Sequence, residues 1–195
     1  MKKSIVLTLV LTLTFGFILL AEESKEIVQA DGEIIVETVF TKKDNEYKFE
    51  KEITHYDQKR KKLKDIRFLL PHNYTGLGVL KTIENFSTDN YRTSIELYFG
   101  KEKAITLGYH KIELFLDRKG NRKRMEVFFT GDGSSEKIYE RSKIFYNPMG
   151  AKIGAEHYFT QKAFETTSYF KLVERFNRSG LIIFQKFYDR KGNEF

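Results

Sequence analysis

The stretch KIELFLDRKGNRKRMEVFFT, residues 111–130, decides the fold. Ile112, Leu114 and Leu116 alternate with Lys111, Glu113 and Phe115. The run Asp117-Arg118-Lys119-Gly120-Asn121 follows, and then Met125, Val127 and Phe129 alternate with Glu126 and Phe128. A period of two marks a strand with one face toward a core. Asp and Asn bond their own following backbone, and Gly takes positive φ without a Cβ clash, so the intervening run is a tight turn. Strand, tight turn and strand make an antiparallel hairpin.

The arrangement recurs every 30 residues in both directions. Asn147-Pro148-Met149-Gly150 and Asn177-Arg178-Ser179-Gly180 follow in frame, and residues 87–90 and 57–60 precede in frame. Ile95-Glu96-Leu97-Tyr98-Phe99 matches Met125-Glu126-Val127-Phe128-Phe129 and then Ala155-Glu156-His157-Tyr158-Phe159. Phe86, Leu116, Tyr146 and Phe176 share a column with Tyr56, and residues 37–41 resemble a sixth copy shifted by one. Such self-similarity signals a repeat architecture. The repeat is too short for a strand, a helical crossover and a second strand with comfortable loops, so hairpins in series fit best. The sequence therefore predicts an all-β fold, an antiparallel meander of about ten to eleven strands built from 30-residue hairpin repeats. It would be curled into a half-barrel or barrel or laid out as an extended sheet. Residues 22–30 are compatible with a short helix, and residues 73–81 read either way.

The start of the chain reads as a targeting device. Lys2 and Lys3 precede an uncharged run, residues 5–20, and Ala21 stands before Glu22 and Glu23. A positive start, an apolar run and a small boundary residue make a signal peptide, here residues 1–21. The run is short of the ~20 residues of a membrane span; an uncleaved anchor is the alternative. Cleavage leaves one domain, residues 22–195, in the periplasm or outside the cell. There is no cysteine, so lipid anchoring, disulfides and thiol chemistry are excluded. The full chain carries a net charge of +7, and loss of Lys2 and Lys3 leaves +5. That excess is mild and does not by itself choose a partner; export makes anionic lipids, cell-wall polymers or polysaccharides commoner partners than nucleic acid.

Alternation sorts the side chains onto two faces. One carries Ile95, Leu97, Phe99, Ile112, Leu114, Leu116, Met125, Val127, Phe129, Ala155, His157 and Phe159, a core face. Unless covered by curling or folding over, it would pair with a second copy of the chain. The other carries Glu96, Tyr98, Phe115, Glu126, Phe128, Glu156 and Tyr158, with Lys111, Glu113, Lys143 and Phe145. Rings stack on sugars and apolar ligands and charges fix orientation, so these first seven are the candidate binding residues. The competing reading is a solvated sheet face whose charges and rings pair across strands.

Nothing in the sequence assembles a catalytic or cofactor signature. His55, His72, His110 and His157 are too far apart for a metal-ligand pair, and no cofactor is implied. His55 and Asp57 share a strand end without a third partner. Glu96, Glu126 and Glu156 would lie two strands apart, about 9.5 Å, the outer limit for an inverting glycosidase pair. The basic run Lys59-Arg60-Lys61-Lys62 falls on a turn.

Tyr56-Asp57, Leu116-Asp117 and Tyr188-Asp189, the last two followed by Arg-Lys-Gly-Asn, resemble the tyrosine–aspartate β-hairpin repeats of bacterial secreted and surface proteins. They are also similar to the aromatic–Gly repeats of antitoxin-like hairpin proteins. The resemblance covers the turns and adjoining rings only, and the 30-residue spacing is longer than those repeats. It implies a hairpin array with a scaffold or binding role. The expected function is an exported, non-catalytic protein that binds an extended polymer, a lipid or another envelope protein. An outer-membrane barrel, with strands apolar outside and polar inside, and an envelope hydrolase are the alternatives.

Overall fold

The structure, a computed structural model, describes residues 6–7, 21–40, 49–70, 78–130 and 138–195. Most of the expected signal peptide, and residues 73–77 of the segment that reads either way, lie outside the described residues. The strands are β1 (Val6–Leu7), β2 (Ala21–Val28), β3 (Ile34–Phe40), β4 (Phe49–Tyr56), β5 (Lys62–Leu69), β6 (Val79–Phe86) and β7 (Arg92–Phe99). After α1 (Lys101–Leu107) come β8 (Tyr109–Leu116), β9 (Arg122–Phe129), β10 (Tyr139–Tyr146) and β11 (Lys152–Phe159). After α2 (Gln161–Thr167) come β12 (Lys171–Phe176) and β13 (Ile182–Tyr188). Among the described residues strand order is chain order, a 13-stranded meander. The count exceeds the expected ten or eleven partly because residues 21–28 form β2, in register with β3 from Ser24↔Thr38 to Val28↔Ile34, and not a helix. Among the described residues two helices of seven residues interrupt the array.

The repeat length is set by the turns. Asp117 N–H donates to the Asn121 carbonyl and Gly120 N–H to the Asp117 carbonyl, at 2.9 and 3.0 Å. Gly120 has φ 81°. This is a type I turn closed by a left-handed residue, a three-residue hairpin loop. The Asp117 side chain accepts from Lys119 N–H and Asn121 N–H, both at 2.8 Å. Asp57, Asn147 and Asn177 do the same in their turns. Arg60 and Asn90 take the left-handed position where the other repeats use Gly. Eight strand residues, five turn residues, eight more strand residues and a nine-residue connection, which is helical in α1, add up to the period.

The chain divides into two compact units, Met1–Ile95 and Glu96–Phe195. In the first, Asp65 on β5 is only 1% exposed. It accepts from Thr54 Oγ1 at 3.3 Å, Lys62 Nζ at 3.1 Å and Arg67 Nη2 at 2.7 Å, and Arg67 Nε donates to Glu52 at 2.8 Å. Burial pulls the Arg67 guanidinium down, but the bond to Glu52 and the charges of Asp65, Glu52 and Glu84 outweigh it and raise its pKa. In the second unit the equivalent positions on β8 and β9 are Ile112, Leu114, Met125 and Val127, with Ile112 opposite Val127 and Leu114 opposite Met125. Extensive contacts between described elements join consecutive strands, and α1 to β8.

Candidate functional site

The registers of the second unit place Phe115, Glu126, Phe128, Glu156 and Tyr158 on one face, and contacts of Lys111 with Glu96 and Tyr98 bring those two beside them. The registers also reveal an order the sequence reading missed. The row nearest the tight turns runs Phe115↔Arg124↔Phe145↔Gly154↔Arg175↔Phe184 across β8 to β13. The middle row runs Glu113↔Glu126↔Lys143↔Glu156↔Val173↔Lys186. The far row runs Lys111↔Phe128↔Arg141↔Tyr158↔Lys171↔Tyr188. The far row alternates cation and ring on every strand. The row nearest the turns alternates from β8 to β10 and then breaks at Gly154, which stands where a cation would continue it, and most of the carboxylates lie between the two rows.

Most of these cations lie against a ring. The Arg124 guanidinium is 3.8 Å from the Phe115 centroid, and Arg141 is 4.4 Å from Tyr158. Lys111 Nζ is 5.4 Å from the Tyr98 ring and 4.9 Å from Phe128, Lys143 is 5.3 Å from Tyr158, and Lys171 is 5.3 Å from Tyr188. A cation over a ring is worth roughly 0.5–1 kcal/mol when exposed and more when desolvated. Gly154 leaves room for the neighbouring arginine: a Cβ there would meet Arg175 Nη1 at 2.8 Å.

The carboxylates hold this layer in place. Lys111 Nζ lies 2.7 Å from Glu96 and 3.3 Å from Glu113. Glu126 faces Glu113 directly, a repulsive pairing, yet it sits 3.1 Å from Arg124 Nε and 3.7 Å from Arg141. It is 6% exposed. The expectation of a solvated residue there is corrected: Arg124 and Arg141 stand on either side of it, each against a ring. Tyr98 and Tyr158 donate to the glutamates two residues earlier, at 2.7 and 2.8 Å. Burial, then the bond to Glu156 and its charge, push Tyr158 up to about 12. Burial and Glu96 likewise raise Tyr98. Burial pulls Lys111 down, but the bond to Glu96 and the charges of Glu113 and Glu96 prevail and raise it.

This order was legible in the sequence as two columns. Positions 51, 81, 111, 141 and 171 are all Lys or Arg, and positions 68, 98, 128, 158 and 188 are all Phe or Tyr. Sorting the repeat by side-chain class would have found them. In the first unit the same columns meet as Lys51 and Lys81, each 6.0 Å from the Phe68 ring.

The opposite face of the second unit holds a second constellation. Ser142 Oγ and His157 Nδ1 are 2.7 Å apart, His157 Nε2 is 3.3 Å from Glu174, and Gln185 donates to Glu174 at 3.1 Å. A hydroxyl, an imidazole and a carboxylate in line are the parts of a nucleophilic triad. Ser142 is 3% exposed, however, and it lies in register with strands on both sides, Val127 and His157. The ladders engage the backbone N–H groups that would form an oxyanion hole. The row reads as a satisfied polar network in the core face, as expected for His157. The Tyr139 ring packs 4.9 Å from His157.

The remaining motifs divide into separate structural roles. His55 Nδ1 pairs with Glu33 at 2.7 Å, whereas Asp57 caps its turn. In the basic run, Arg60 pairs with Glu26, Lys61 donates to the Thr88 carbonyl and Lys62 joins Asp65. A hollow of about 690 Å³ at these turns has mixed lining, including Asp31, Glu33, Lys59 and Lys61. Among the described residues no cluster of three or more His, Asp or Glu is placed to hold a metal ion. No helix among them is long and apolar enough to cross a membrane. A scan of protein-family models and a search of curated proteins found no match to this chain.

Proposed function

We propose that the chain is an exported, non-catalytic β-repeat protein that binds an extended polymer at the cell envelope or outside the cell. The observation that carries this reading is the ring–cation alternation across six consecutive strands of the second unit. A repeated surface offers many similar weak contacts, which suits an extended partner, whereas catalysis needs one unique constellation in a pocket. The apolar start of the chain supports export. Cleavage after Ala21 would remove Val6–Leu7, which pair with Ile27 and Glu26 of β2. Buried carboxylates on both faces of the second unit, Glu126 and Glu174, weigh against a lipid-facing strand surface.

Two measurements test this reading. Intact mass of secreted protein is expected to show Glu22 as the first residue, and a full-length mass in the mature fraction would overturn cleavage. Purified protein is expected to co-sediment with insoluble envelope polymers without degrading them. Turnover of any such polymer would replace binding with catalysis.

A further inference from the structure

Resting on that binding reading, we infer that the partner is a linear acidic polysaccharide in which neutral and acidic sugars alternate, lying across the strands of the second unit. Neighbouring strands are about 4.8 Å apart, close to the advance of one pyranose in an extended chain. The far row presents Phe128, Arg141, Tyr158, Lys171 and Tyr188 in that order. One sugar per strand sets a neutral sugar on each ring and a carboxylate-bearing sugar beside each cation. A homopolymer of acidic sugars places every second charge on a ring, and a neutral polymer leaves the cations without partners.

Charge locates the strongest contacts on β10 to β13. Lys111 already faces Glu96 and Glu113. Beyond it, Arg141, Lys143, Lys171 and Arg175 outnumber Glu126 and Glu156 on this face, while Lys186 pairs with Glu194. The excess attracts a polyanion and makes its affinity depend on salt. Carboxylates of the middle row, such as Glu156, accept hydrogen bonds from sugar hydroxyls alongside.

Isothermal titration of the purified protein at low and physiological salt, with three soluble polymers, tests the assignment. The polymers are hyaluronan fragments, in which glucuronate alternates with N-acetylglucosamine, polygalacturonate, in which every sugar is acidic, and neutral dextran. Hyaluronan is expected to bind tightest. Lys171→Gln and Arg141→Gln, shown folded by circular dichroism, are each expected to weaken it roughly tenfold. Lys119→Gln, the same charge change in an exposed turn, is expected to leave it unchanged. Equal or tighter binding of polygalacturonate or dextran overturns the alternation while leaving polymer binding standing. So does equal loss with Lys119→Gln, which would make net charge alone the cause. Binding of none of the three, together with no co-sedimentation with envelope polymers, removes the binding reading itself.

Discussion

Asp65 in the first unit and Met125 in the second occupy the same place in the repeat, two periods apart, on strands with the same turn and the same pairing. Around Asp65 the neighbouring columns hold Glu52, Thr54 and Arg67; around Met125 they hold Ile112, Leu114 and Val127. One set closes an ion network about a carboxylate 1% exposed, and the other is aliphatic. The backbone is alike in both. The difference shows that turns and ladder hydrogen bonds specify this fold, while the chemistry of that face is interchangeable provided every buried polar group is satisfied.

The comparison breaks first where satisfaction is removed. Val127→Asp puts an unpaired carboxylate between Ile112 and Ser142 and is expected to leave no folded protein by circular dichroism, because nothing there compensates the charge. Asp65→Ala removes the carboxylate that Lys62 and Arg67 share and leaves Arg67 with Glu52 alone. It is expected to cost about 2–3 kcal/mol in urea unfolding, the range for losing hydrogen bonds to a charged group when its partners keep access to solvent or a second carboxylate. A loss below about 1 kcal/mol would put this network in the class of surface salt bridges and undo the comparison.

The turns are the feature both units share, and their effect is smaller. Gly120→Ala meets no atom but keeps a left-handed φ of 81°, and the variant is expected to lose about 1–2 kcal/mol. Arg60→Gly in the first unit, at the same turn position, is expected to shift stability the other way through relief of its φ of 58°, less the lost pairing with Glu26.

The smallest effect is the pH dependence of the mixed face. Tyr158 is raised to about 12 in the folded protein, above its ordinary value of 10.0. The unfolded chain therefore releases this proton first. The stability involved is present below pH 10 and is lost as pH rises toward 12. Stability measured from pH 9 to 12 is expected to fall less steeply in Tyr158→Phe than in the parent chain, and parallel curves would contradict the placement of this hydroxyl beside Glu156.

The turns, the strand alternation and the sorting of Glu96, Tyr98, Phe115, Glu126, Phe128, Glu156 and Tyr158 onto one face were legible because each rests on local spacing. Three features were not. Residues 21–28 are rich in Ala, Glu and Lys, helix formers, and only pairing with β3 makes them a strand. The helices α1 and α2 are single short segments set by ends such as Gly108 at φ 82° and the Thr160 hydroxyl accepting from Ala163, signals easily lost among loop residues. The burial of Glu126 goes with Arg124 and Arg141 set over the Phe115 and Tyr158 rings of neighbouring strands, which no single strand reveals.

The most direct test gives the first unit the second unit's residues. Glu52→Ile, Thr54→Leu, Asp65→Met and Arg67→Val together install the side chains found 60 positions later, and Lys62, which is 30% exposed, can turn to solvent. Urea unfolding of this fourfold variant is expected to give a stability equal to the parent or higher by about 1–4 kcal/mol. A loss of 3 kcal/mol or more, on the order of a broken buried ion pair, would contradict the account by showing that the ions themselves hold the first unit together.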